Sequence, residues 1–156
     1  MPRSDAHTDP WSQLGRSELT AGGKSLVTER LEALGCTVTP PRRLTDGRLE
    51  VLTPSGRALE VFVSTQRVGG YAFWTKRRLQ IAPSRLAVIV LLTDAGEPDV
   101  YLVPTTEWLG AGPPFTNRDN IGKKSEPEFG VSLARSSLPA LERYLWDDGT
   151  ARESFR

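Results

Sequence analysis

Period-two alternation across residues 48–65 constrains this chain more than any other feature. Leu49 and Val51 share one face of a first segment, and Leu59, Val61 and Val63 share one face of a second. Pro54, Ser55 and Gly56 stand between them, where a tight turn needs them. Successive side chains of a strand point to opposite faces, so this pattern suits a half-buried hairpin and no helix. The spacing predicts antiparallel pairing of residues 48–53 with 57–65, with Leu59, Val61 and Val63 buried.

Other segments follow from the same rules. Leu26, Val27, Leu31 and Leu34 fall on one face of a helix over residues 17–34, with Ser17 at its cap and Gly35 as a left-handed stop. Gly22 and Gly23 weaken that helix and imply close backbone approach to a neighbour or ligand. A short strand at 36–39 ends at Pro40 and Pro41. Gly69 and Gly70 break the chain before an aromatic and basic segment at 71–79. The continuous apolar run from Leu86 to Leu92 predicts a strand buried on both faces over 86–93, partnered by 100–103. A helical turn is expected at 104–108, a long loop at 110–128, and a last helix at 136–146, capped by Ser136 or Ser137, with Pro139 in its first turn.

Residues 1–16 and 147–156 are polar and read as flexible arms around one domain at 17–146. The order of elements predicts an α/β or α+β fold with a central mixed sheet flanked by helices. With 38% hydrophobic and 25% charged residues the composition is that of a globular chain. No apolar run approaches membrane-spanning length, and no secretory signal is evident, so a cytoplasmic location without membrane association is expected. One cysteine, Cys36, and one histidine, His7, supply neither a disulfide nor a zinc cage. Cys36 is read as a small apolar core residue, and His7, in the arm, as lacking a fixed partner for base catalysis. A net charge of +1 means that any basic patch must be local.

Three stretches together resemble the PD-(D/E)XK restriction-endonuclease-like superfamily, in particular its small bacterial members. They are the helix from Gly23 to Gly35 with the strand after it, the hairpin closing on Val61-Phe62-Val63-Ser64-Thr65-Gln66-Arg67, and the segments 70–77 and 101–108. The resemblance implies a nuclease scaffold over residues 17–145. In active members an acid near the start of the hairpin and an acid or Gln on its second strand hold a divalent metal. A Lys two residues later on the same face serves the attacking water. At the matching positions this chain has Arg48, Phe62 and Ser64. The resemblance therefore implies a degraded site, with no cofactor, and a role in bacterial genome maintenance or defence.

Three functional readings follow. The first is a catalytically degenerate module that binds DNA or RNA. Arg67, Trp74, Lys76, Arg77, Arg78 and Arg85 are its expected contacts, since cations neutralise phosphates and aromatic rings stack on bases. The second is an active, divergent Mg²⁺ nuclease built from Asp46, Glu60 and Lys76, against which Glu60 and Glu50 read as ordinary solvated residues. The third is a pseudoenzyme that binds a protein partner through Trp108 and the 110–128 loop. Lys24 could face the cleft where nuclease-fold members place an acid. The Ala21-Gly22-Gly23-Lys24-Ser25 run is not a phosphate loop, because Glu18 stands where its first glycine belongs and no strand precedes it. Ser64 has no histidine in an ordered segment to activate it.

Overall fold

The computed structural model describes residues 11, 14–41, 43, 47–94, 96–110 and 112–156. Its elements are α1 (Arg16–Ala33), β1 (Thr37–Thr39), β2 (Arg48–Leu52), β3 (Ala58–Arg67), β4 (Tyr71–Thr75), β5 (Arg85–Leu92) and β6 (Asp99–Pro104). A 3-10 turn (Thr105–Leu109), β7 (Phe115–Arg118), β8 (Glu128–Ser132), α2 (Leu138–Leu141) and α3 (Asp148–Ser154) follow. A five-stranded sheet in the order β1-β2-β3-β5-β6 forms the centre. Its β3–β5 pair is parallel and the others are antiparallel, so the sheet is mixed and the fold is of the α/β class.

Two cores lie on the two faces of this sheet, and β5 feeds both. Leu86, Val88, Val90 and Leu92 point to one side, with Leu59, Val61 and Val63 of β3, Val27 and Leu31 of α1, and Phe155 beyond α3. Ala87, Ile89 and Leu91 point to the other, where they meet Phe62, Trp74, Trp108, Phe129 and Leu141 of α2. A strand buried on both faces needs apolar side chains at every position, which is why its sequence does not alternate. The parallel β3–β5 step requires a crossover. Here the crossover carries β4, which joins β8 and β7 in a second, three-stranded antiparallel sheet over the Phe62 face.

The hairpin forms in the expected register, with Leu49 opposite Val61 and Val51 opposite Leu59, and with Leu59, Val61 and Val63 buried. Gly35 ends the α1 region at φ +87°. Cys36 is 6% exposed, and burial pushes its thiol pKa up, which suits an inert packing residue. The glycine pair does serve close approach. A Cβ on Gly23 would lie 1.8 Å from Thr65 Oγ1 of β3, and one on Gly22 would lie 2.7 Å from the Trp11 ring.

That contact sets the sign of a substitution. Gly→Ala inside an exposed helix normally stabilises by up to ~1 kcal/mol. At Gly23 the methyl must displace Thr65 or lift α1 from the sheet, and overpacking of this kind costs about 1–3 kcal/mol. Gly23→Ala is therefore expected to lower the midpoint of urea unfolding; a raised midpoint would show that α1 does not sit this close to β3.

Several expectations are corrected. The cap of α1 is Gly15 rather than Ser17, and the Glu18 carboxylate accepts the Gly15 N–H at 3.2 Å. The stretch 110–128 is not one loop. It contains β7 and leads into β8, because Phe115 and Val131 find partners across the small sheet. The last helix is broken into 3-10 turns around the four-residue α2, and the Ser137 hydroxyl bonds Ser132 instead of capping. Residues 147–156 are not a free arm. Asp147 caps α3 by accepting the Gly149 N–H at 3.1 Å, Phe155 is 1% exposed, and Arg57 donates to the Ser154 carbonyl at 2.6 Å. No helix among the described residues is long and apolar enough to cross a membrane.

Candidate nucleic-acid interface

A metal site on the central sheet would have to be built around Glu60. On β3 its carboxylate lies 3.6 Å from Arg48 of β2 and 3.5 Å from Arg85 of β5. Glu50 stands directly opposite on β2. Two carboxylates facing each other across a ladder repel, and the flanking guanidinium groups offset that repulsion. A divalent cation at Glu60 would meet the Arg48 and Arg85 guanidinium groups as well as the Glu50 carboxylate. No cluster of three or more metal-ligating side chains occurs among the described residues. Among the described residues, the Glu60 carboxylate forms ion pairs with Arg48 and Arg85. Asp46 lies outside the described residues, as does His7.

Lys76, the third member of that set, is engaged in a different layer. Its ammonium bonds Asn117 and Asp119, the latter at 2.7 Å, and sits 4.9 Å from the Phe129 ring centre. It is tied to the small sheet while Glu60 is tied to the central one. Of the motif positions, Arg48 pairs with Glu60, and Phe62 is 2% exposed inside the aromatic core. Ser64 is half-buried and accepts a hydrogen bond from Gln66 Nε2 at 3.0 Å. Lys24 is buried on the inner side of α1, and burial lowers its ammonium pKa; it does not line the cleft between α1, β3 and β4.

That cleft, of about 480 Å³, opens where the C-terminal half of β3 passes the first turn of α1 and the start of β4. Thr20 comes from α1, Ser64 and Gln66 from β3, and Phe73 from β4. Arg16, Arg67 and Arg78 bring three positive charges, and no carboxylate lines it among the described residues. Period two explains the β3 contribution: once Phe62 is inside, Ser64 and Gln66 follow it along the same face to the point where the core ends. Arg67 also donates to the Trp11 carbonyl at 2.9 Å, which fixes the guanidinium beside the start of α1.

The six residues expected to grip a phosphate backbone are thus divided. Arg67 and Arg78 reach the cleft. Trp74 forms part of its wall but is 7% exposed, packed edge-on against Trp108 at 6.0 Å, so its faces belong to the core. Phe73, 54% exposed, is the open ring of that strand. Arg77 pairs with Glu126 at 3.2 Å, Lys76 with Asp119, and Arg85 with Glu60. Arg85 is also remote: β5 pairs Arg85 with Glu60 and Leu92 with Arg67, a separation of seven strand positions, or roughly 23 Å. Arg16 was missed because it precedes the apolar periodicity of α1. Its signal was its position one turn before Leu19 and Thr20 on the face that continues to Gly23.

Trp108 is 4% exposed and donates its indole N–H to the Gly130 carbonyl at 3.0 Å, with Phe115 and Phe129 around it. It centres the second core and offers no surface for a protein partner.

No family model matches the chain, and no curated protein matches it. Among solved structures, it is similar to Hjc, a Holliday junction resolvase from the archaeal hyperthermophile Archaeoglobus fulgidus. The match has 9% identity and a TM-score of 0.49, and covers 88% of this chain and 98% of that one. A likeness of this degree assigns no residue a role. The cleft has to be read from its own side chains.

Proposed function

We propose that the protein is a nuclease-like scaffold that binds nucleic acid without cutting it, and that the cleft beside α1 is where the phosphate backbone is held. The observation that carries this reading is the charge inside the cleft: three arginines and no carboxylate among the described lining residues. Guanidinium groups match phosphate oxygens in charge and in fork geometry. Thr20, Ser64 and Gln66 add neutral hydrogen-bonding groups. Outside the cleft, Lys76, Arg77 and Arg85 pair with Asp119, Glu126 and Glu60. The bond of Glu60 to Arg48 and Arg85 supports a non-catalytic role, since it occupies the carboxylate that a metal would need.

The test is fluorescence polarisation with labelled oligonucleotides over a salt series. Each phosphate neutralised adds about 0.7 to the log–log salt slope on single strands and about 0.9 on duplex. Replacing Arg16, Arg67 and Arg78 together with Ala should flatten the slope by about 2 on single strands, the sum of three such contacts. Arg77→Ala, which removes a cation already paired with Glu126, should leave the slope unchanged. No binding by the wild type at ~50 mM salt, where electrostatic binding is strong, sinks the reading. An equal loss from Arg77→Ala would move the site away from the cleft.

A further inference from the structure

We infer that the cleft takes a single strand in preference to a duplex, with one unpaired base stacked on Phe73; this rests on the nucleic-acid reading above. Phe73 is the one aromatic among the exposed large hydrophobic side chains of the described residues. It alternates on β4 with Ala72 and Trp74, both buried, so the pleat holds its ring outward. Tyr71 backs it, with ring centres 5.9 Å apart and planes 20° from parallel. Tyr71 is itself anchored by donating to Glu128 at 2.9 Å and by Arg118 at 5.2 Å over its ring. The exposed phenyl is therefore a braced surface rather than a loose side chain.

Its neighbours select the ligand. Phe73 shares the cleft with Arg67 and Arg78, which places a flat apolar face beside phosphate-binding groups. An apolar ring next to guanidinium groups suits a ligand with a π-face and an anion on one unit, which is a nucleotide. Bases in a duplex show only their edges in the grooves, and their faces are covered by the stack. A strand whose bases are unpaired exposes those faces, and every base has one, so the recognition is tolerant of sequence. The cleft, at about 480 Å³, falls within the size range of small-ligand sites.

The experiment is fluorescence polarisation of the full chain with a labelled mixed-sequence single strand, the matching duplex, and an abasic strand of the same length. The single strand should bind at least fivefold tighter than the duplex. Phe73→Ala should weaken single-strand binding by roughly 5- to 100-fold, the range of one lost base stack, and change duplex binding less than twofold. The abasic strand should bind the wild type as weakly as the single strand binds Phe73→Ala. Phe73→Trp should restore single-strand affinity, which separates stacking from damage to the fold. Single-strand binding unaffected by Phe73→Ala, or equal affinity for duplex and single strand, overturns the inference. If those outcomes come with binding that still depends on Arg16, Arg67 and Arg78, the phosphate-binding reading stands alone. Absence of binding to all three probes removes both.

Discussion

Replacing Phe62 with alanine will destabilise the fold by about 3–5 kcal/mol, the usual cost of emptying a phenyl-sized site in a packed core. Phe62 is 2% exposed and lies between the central sheet and the small sheet, among Ala87, Ile89 and Trp74. The PD-(D/E)XK nuclease pattern has an acid or Gln at this position. Here it belongs to packing instead. Phe62→Asp should cost at least as much as Phe62→Ala, because it empties the same packed site and adds the desolvation of a carboxylate to the lost packing. Equilibrium urea unfolding measures both. A loss below ~1 kcal/mol for Phe62→Ala, typical of a surface position, would mean that the site is open and the small sheet does not cover it.

The C-terminal segment gives the second large effect. Phe155 is 1% exposed, stacks on Trp146 with ring centres 5.6 Å apart, and joins Ala151 in the core under α1. Phe155→Ala is expected to cost about 3–5 kcal/mol by the same cavity argument. A solvent-exposed tail would lose no more than ~0.5 kcal/mol. The two outcomes are far apart, so a single unfolding curve separates a docked α3 from a free end.

The comparison between these residues shows what was legible in the sequence. The hairpin, α1 and β5 could be read because each buries its apolar residues at a fixed period against one layer. β7 could not, since Phe115 follows Pro113 and Pro114 and its partner Val131 is a distant part of the chain. α3 and its cap residues are polar apart from Ala151 and Phe155, too few apolar positions for a helical period to show. The interface was legible only in part for a related reason. Clustering in sequence placed Lys76, Arg77 and Arg85 beside Arg67 and Arg78. Their neutralisation by Asp119, Glu126 and Glu60 depends on contacts made by the folded chain. Trp74 and Phe73 are adjacent in sequence, and the phase of the pleat alone decides which of them faces out.

The central claim is that the cleft holds nucleic acid without metal-dependent cleavage, and one measurement meets it directly. An end-labelled single strand and a plasmid are incubated with saturating protein in Mn²⁺, Mg²⁺ or EDTA, and the products are resolved on a gel. The account predicts intact substrate under all three conditions, with complexes that survive EDTA, because Arg16, Arg67 and Arg78 need no cation to bind phosphate. Metal-dependent products from the wild type that disappear in Glu60→Ala would contradict it, and would show that Glu60 exchanges its arginine partners for a metal.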